Sequence, residues 1–233
     1  IHRAYHALPK NNFKSQGQLV NAVYGFFSMF LKAIDKLEPD YLITGFDAPG
    51  PTFRHEKFIG YQAHRPELEE ELTSQMKITR DSLQKSDIPV LLKKGYEADD
   101  IIGTIVEKVN QGEVPLEEEL EEVIVVTGDK DLMQLVNEHT KLFLLTSGIS
   151  GSKLVGPQGV EEKLGIKPDQ VVDYKALIGD SSDNYPGVYG IGPKTAEILF
   201  DQYDSVDEIY DNLEEIEGKK RKKLEEGKES AFL

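Results

Sequence analysis

The sequence predicts an α/β fold, a parallel sheet core flanked by helices, followed by a helical subdomain. Three observations carry that prediction. Short runs rich in β-branched and aromatic residues alternate with longer segments of helical periodicity, the pattern of a parallel sheet with crossover helices. After about residue 156 the strand-like runs stop, and short helical segments follow, separated by Gly and Pro turns. The 233 residues suffice for one large domain or two small ones with a sizeable core.

The elements follow in order. Leu19, Val23, Phe26, Phe27, Phe30, Ile34 and Leu37 recur at helical spacing until Pro39 stops the pattern. YLITGF (41–46) reads as a buried strand that ends at Asp47. Residues 48–66, rich in Pro, Gly, aromatic and basic residues, read as a loop, and 67–86 as a charged helix. Pro89 to Leu92 is a short strand, and Ile101, Ile102, Ile105, Val106 and Val109 form a helix face. VIVV (123–126) is a strand, DLMQLV (131–136) a helix and LFLL (142–145) a further strand. There is no internal repeat and no low-complexity tract. Ile1 in place of Met, and an end at Leu233 inside a helix-like stretch, read as a fragment cut at both ends.

Composition excludes some classes. No Cys means no disulfide and no thiolate site, which suits a reducing compartment. No apolar run approaches a membrane span and no secretory signal is visible, so no membrane partner is expected. The 27 basic and 42 acidic residues give a net charge of −15, which taken alone argues against a nucleic-acid partner. The distribution matters more. ELEEE (67–71) and EVPLEEELEE (113–122) read as solvated acidic stretches, and KKRKK (219–223) is a compact basic run.

The remaining acids fall where ligands bind in open α/β sheets, beyond the carboxyl ends of strands. Asp47 follows one strand directly. Glu97, Asp99 and Asp100 (GYEADD) follow another through a short loop, Asp129 and Asp131 (TGDKD) a third, and Asp180 and Asp183 (GDSSDN) open near the helical subdomain. Taken singly, Asp99 and Asp129 read as helix N-caps, Asp47 as a loop acid, Asp180 and Asp183 as a turn. Together, with no Arg or Lys expected beside them, they would repel by several kcal/mol when partly buried. Divalent cations relieve that repulsion, and an all-oxygen donor set favours Mg²⁺ or Mn²⁺ over Zn²⁺. Two such ions suit phosphodiester hydrolysis. The five His residues show no metal spacing.

GYEADD, TGDKD, GDSSDN, FDAPGPTFRHE (46–56) and GVYGIGPKTA (187–196), in this order and spacing, resemble the 5′-nuclease (5′→3′ exonuclease) domains of bacterial DNA polymerase I, in the flap endonuclease superfamily. The resemblance runs from IHRAYHALP to the last residues. It implies a PIN-like α/β core over residues 1–156 with a helical arch at about 50–80. It implies a DNA-binding subdomain over 157–233 with a helix–hairpin–helix at about 184–203. The implied activity is 5′→3′ exonuclease and flap cleavage in primer removal and DNA repair. The implied substrates are 5′ flaps, nicked or gapped duplex and RNA primer–DNA hybrids. By the same resemblance Asp47, Glu97, Asp99, Asp100, Asp129, Asp131, Asp180 and Asp183 hold two Mg²⁺ (or Mn²⁺) ions, and the hairpin carbonyls hold K⁺. Arg54 and Arg65 lie by the scissile phosphate, as does Gln62. Arg3, Phe53, Lys57, Tyr61, Gly190, Ile191, Gly192, Lys194 and Thr195 contact DNA. A cytoplasmic monomer fused to a polymerase domain is the implied setting.

On the residues alone, 50–67 supplies cations for the 5′ strand and aromatic rings (Phe53, Phe58, Tyr61) for base stacking, or is a solvated basic loop. Backbone N–H groups of Gly190, Ile191 and Gly192 with Lys194 suit a phosphate, and Gly-rich turns between helices are common. Two departures from the family are visible. A further Asp on a first strand is expected before the position of Ile1, and its absence is expected to lower activity and stability. YQAHR puts Gln62 where the arch motif carries Lys, removing a charge. Two other readings therefore stay open: a flap-DNA-binding module with impaired catalysis, and a PIN-type ribonuclease.

Overall fold

The computed structural model describes residues 1–115, 120–145 and 151–233; residues 116–119, inside the acidic run, lie outside them. In chain order the elements are α1 (His2–Ala7), the hairpin β1 (Lys14–Ser15) and β2 (Gln18–Leu19), α2 (Asn21–Leu37), β3 (Thr44–Gly45), α3 (Phe53–Lys57), α4 (Glu70–Lys85), β4 (Val90–Leu91) and α5 (Ala98–Asn110). Then come β5 (Val123–Thr127), a 3₁₀ turn at Asp131–Leu135, β6 (Thr140–Leu144), β7 (Lys153–Val155), α6 (Pro157–Leu164), α7 (Val171–Ile178), α8 (Pro193–Phe200), α9 (Val206–Asp211), α10 (Gly218–Glu226) and α11 (Lys228–Ala231). The chain folds into two compact units. The first comprises 1–50, 65–102 and 145–152, the second 51–64, 103–144 and 153–233, and the division runs through α5.

In the first unit Tyr5, Ala22 and Leu72 form a buried cluster with Ile1, Leu19 and Met76 against it. The helix expected over 19–37 is α2, but its tightest contacts are made by small residues rather than by the predicted large apolar face. Asn21, Ala22, Gly25 and Ala33 are buried, and Phe26, Phe27 and Phe30 are half-buried among one another. A Cβ on Gly25 would stand 2.5 Å from Ala4 Cβ, so α1 and α2 touch through their backbones there. Val20 cannot cap α2. Gln75 of α4 does so instead, its Oε1 accepting the N–H groups of Ala22 (2.7 Å) and Val23 (3.3 Å). Gln75 Nε2 donates to Asn21 Oδ1 (3.1 Å), and Asn21 Nδ2 donates to the Tyr5 carbonyl (2.8 Å). β3 and β4 pair in parallel, Thr44 opposite Val90 and Gly45 opposite Leu91.

In the second unit β5 and β6 pair in parallel over five residues, Val123 opposite Thr140 through Thr127 opposite Leu144. β7 adds antiparallel to β6, a strand not anticipated because KLV is too short to alternate visibly. DLMQLV is a 3₁₀ turn rather than an α-helix, its Leu132 and Met133 buried beneath it. The presumed loop at 48–66 contains α3, whose start is closed by Thr52 N–H donating to His55 Nδ1 (3.2 Å). The region after 156 is helical as expected, with Leu177, Leu199, Ile209 and Leu224 almost wholly buried. Full burial of each such side chain contributes about 2 kcal/mol.

Candidate metal centre

In the first unit the parallel pairing of β3 and β4 sets their carboxyl ends side by side, and the acids that follow meet at the start of α5. Asp47 Oδ1 accepts the N–H of Ala98 (2.8 Å), and Asp100 Oδ2 accepts that of Glu97 (2.9 Å). Asp47 and Asp100 thus cap the first turn of α5, and Asp99 lies within the same turn. A Cβ on Gly45 would come 3.1 Å from Ile102 Cγ1, so α5 packs directly on β3 and carries its acids with it.

In the second unit Asp131, Asp180 and Asp183 each place a carboxylate oxygen within 4.8 Å of the others, all three half-buried. Asp131 comes from the turn after β5. Asp129 precedes it in an exposed loop, taking the Asp131 N–H on Oδ1 (2.9 Å) and giving its own N–H to Thr127 Oγ1 (3.0 Å). Asp180 and Asp183 sit in a tight loop closed by paired backbone bonds between Asp180 and Tyr185, both 2.8 Å. That loop requires glycine at its base. Gly179 and Gly187 have φ of 78° and 60°, and a Cβ on Gly187 would lie 2.2 Å from the Gly179 nitrogen.

The expectation that no basic residue accompanies these acids is corrected. Lys175, on α7, places Nζ 2.7 Å from Asp131 Oδ1 and 2.5 Å from Asp180 Oδ2. The local signal was DYKALIGD, but a Lys five residues before Asp180 names no partner in a distant loop. Burial raises the proton affinity of Asp180, yet Lys175, with the N–H and hydroxyl of Ser182, overrides it and holds Asp180 well below the usual carboxylate range. Burial pushes Asp131 up, and the neighbouring Asp129 and Asp180 add to that against the pull of Lys175. For Lys175 burial works the other way, but the two carboxylates raise it above its ordinary value, so it is charged.

Gln62 meets this cluster. Its Nε2 donates to Asp183 Oδ1 (2.9 Å) and to the Tyr61 hydroxyl (2.9 Å), and its backbone N–H donates to the Asp183 carbonyl (3.0 Å). Asn184 Nδ2 donates to the Gly60 carbonyl (2.8 Å), so residues 60–62 are clasped onto 183–184. Both Gln62 (φ 51°) and Asn184 (φ 61°) adopt left-handed backbone.

The residues expected at DNA have these surroundings. Tyr61 is 9% exposed and packs edge-on against His55. The Ile191 N–H donates to the Val188 carbonyl (3.0 Å) and its side chain is buried. The carbonyl of Gly190 accepts Lys223 Nζ (2.7 Å). Arg3 Nη1 donates to the Leu145 carbonyl (2.7 Å), a tether within the first unit. Phe53 is half-buried with the Arg54 guanidinium 4.6 Å and the Lys57 ammonium 5.6 Å from its ring centre. Arg65 and Lys194 are exposed, Gly192 caps α8, and Thr195 gives its N–H to the Gly192 carbonyl (2.9 Å). Tyr189, which sequence reasoning missed, is 94% exposed at the hairpin tip. Within the basic run, Arg221 and Lys222 pair with Glu225 and Glu226 one turn on.

The sequence model described as "5'-3' exonuclease, N-terminal resolvase-like domain" matches residues 1–165, and that described as "5'-3' exonuclease, C-terminal SAM fold" matches 166–233. The chain belongs to the 5′–3′ exonuclease family. It is 40% identical over 233 residues to DNA polymerase I of Bacillus subtilis (strain 168), covering 100% of this chain and 26% of that protein. It is 39% identical over 218 residues to DNA polymerase I of Mycobacterium leprae (strain TN), covering 93% and 23%. The chain thus spans about a quarter of the length of these curated relatives. Among solved structures, T5 5′-exonuclease with bound zinc superposes with a TM-score of 0.78 at 23% identity, covering 99% of this chain and 82% of that one. The catalytic core of Rad2 in complex with a DNA substrate gives 0.57 at 16%, covering 97% and 69%.

Proposed function

We propose that this chain is a Mg²⁺-dependent, structure-specific 5′→3′ exonuclease and flap endonuclease of the kind carried by DNA polymerase I, acting in primer removal and DNA repair. The observation that carries this reading is the cluster of Asp131, Asp180 and Asp183, whose oxygens lie within 4.8 Å of one another. The donors are all carboxylate oxygens, a set that suits hard cations. Asp47, Glu97, Asp99, Asp100 and Asp129 are the further proposed ligands, or hold water next to the ions. When bound, a pair of Mg²⁺ or Mn²⁺ ions supplies an activated water and charge stabilisation of the departing 3′ oxygen.

The chain's own residues do the rest. Gln62 holds Asp183 through its amide and backbone at once, fixing the carboxylate that faces the cluster. Arg54, Lys57 and Arg65 bind phosphates of the 5′ strand, with the half-buried ring of Phe53 nearby. Gly190 and Gly192 present backbone to the duplex, and Lys194, Thr195 and the exposed Tyr189 flank them, gripping phosphates without reading bases. Residues 157–233 act as the DNA-binding subdomain and 50–80 as the arch. The reading places a monomer in the cytoplasm; no helix among the described residues is long and apolar enough to cross a membrane.

The test is cleavage of a 5′-labelled flap duplex in Mg²⁺ or Mn²⁺ against EDTA, with Asp131→Asn beside the parent. A fall of at least about 10²-fold with flap binding kept supports the reading. Cleavage that survives EDTA, or that Asp131→Asn leaves intact, refutes it. Binding without cleavage in any divalent ion would favour the binding module, and faster cleavage of single-stranded RNA than of the flap the ribonuclease.

A further inference from the structure

The cluster already contains a cation, and it belongs to the protein. Lys175 Nζ contacts Asp131 at 2.7 Å and Asp180 at 2.5 Å, two of the three acids whose oxygens converge within 4.8 Å. Lys175 and Asp131 are 34% and 31% exposed, and Asp180 13%, so screening by water is partial. Mg²⁺ requires oxygen donors at about 2.0–2.1 Å in near-octahedral order. An ammonium that bridges two of the donors stands against that arrangement both sterically and by charge. α7, which carries Lys175, is fixed by buried Val171, Tyr174 and Leu177, but the ammonium rides on a flexible four-carbon stem with rotatable donors. The head group can leave the cluster without any movement of the helix.

We propose that Lys175 is a tethered counter-ion: it bridges Asp131 and Asp180 in the metal-free protein, and a divalent cation entering the cluster must displace it. The inference rests on the proposed metal-binding role of these acids. It makes two predictions of opposite sign for a single change. Without metal, Lys175 relieves repulsion among Asp131, Asp180 and Asp183, so removing it destabilises. With metal, Lys175 is a competitor, so removing it tightens binding.

The measurement is Mn²⁺ binding to the 233-residue chain, by titration calorimetry or by loss of the free Mn²⁺ EPR signal, together with melting temperatures in EDTA and in saturating Mn²⁺. Lys175→Met should bind Mn²⁺ about 3- to 10-fold more tightly, the scale of a partly exposed ion pair. Its melting temperature in EDTA should fall by about 2–4 °C, and the gap should close or reverse in Mn²⁺. Lys175→Gln, which keeps a polar head without charge, should behave alike and serves if Lys175→Met folds poorly. Unchanged or weaker Mn²⁺ binding, with an equal loss of melting temperature in both conditions, would mean a purely structural lysine and overturns the proposal. Mn²⁺ binding that Asp180→Asn leaves untouched would overturn the metal-site reading itself and the proposal with it. Binding abolished by Asp180→Asn but indifferent to Lys175→Met would sink the counter-ion alone.

Discussion

The two units handle crowded carboxylates in different ways. In the first, Asp47 and Asp100 accept backbone N–H groups at the start of α5, where the helix dipole favours negative charge. In the second, Asp131 and Asp180 are bridged by Lys175, and Asp183 receives the amide of Gln62. The same residue type accepts backbone N–H groups in one place and is held by the side chains of Lys175 and Gln62 in the other. Acids that cap a helix stay in place whether or not a metal is present. Acids held by a lysine and a glutamine keep their geometry only while those partners remain. Placement relative to a strand end therefore identifies candidate ligands, while the partners determine how each responds to substitution.

The largest effect expected from breaking this contrast lies in the first unit's own long-range contact. Gln75→Leu leaves the N–H groups of Ala22 and Val23 and the Oδ1 of Asn21 without their buried partner. Each such loss costs about 1–3 kcal/mol, and some is recovered by relaxation, so about 3 kcal/mol and a drop of roughly 6–12 °C in melting temperature are expected. Chemical denaturation measures it. A loss below about 1 kcal/mol would mean that water replaces the amide and that α2 needs no cap from α4.

In the second unit the corresponding change is Gln62→Ala. It removes the amide from Asp183 but leaves the carboxylate, so kcat for flap cleavage should fall about 10-fold while flap affinity stays within about 2-fold. Single-turnover cleavage and a binding titration separate the two. An equal fall in affinity would make Gln62 a substrate contact rather than a positioning residue.

These contacts mark the limit of what the sequence made legible. Strand ends were readable because YLITGF and VIVV are short β-branched or aromatic runs, and each delivers acids shortly afterwards, Asp47 after the first and Asp129 and Asp131 after the second. The family motifs named the acids. The sequence did not disclose Lys175 beside Asp131, or Gln75 beneath Ala22, because both are pairings between residues far apart in the chain, set by tertiary packing. The surroundings of Tyr61 and Ile191 were hidden for a related reason. Their types suit stacking and phosphate approach, but the turn at 58–61 buries the Tyr61 ring, and the turn at 188–191 uses the Ile191 N–H. β7 and α1 were missed because each is too short to carry a period, and neighbours rather than propensity hold them.

The smallest effect sharpens the contrast most, because it separates cap from ligand at one atom. Asp47 Oδ1 accepts the Ala98 N–H at an exposed helix start, so Asp47→Ala should cost about 1 kcal/mol, or about 2–4 °C in melting temperature. Asp47→Asn keeps an acceptor oxygen in the same place and should cost less than about 0.5 kcal/mol. If Asp47 is a cap alone, the two variants rank by stability, and cleavage by Asp47→Asn matches the parent. If it is also a ligand, Asp47→Asn keeps its melting temperature in EDTA and loses cleavage, since a neutral amide replaces the charge that a hard cation needs. Flap cleavage and melting temperature measured on the same two variants decide between these outcomes. The second outcome would show that an acid in the first unit can start a helix and bind metal with one carboxylate.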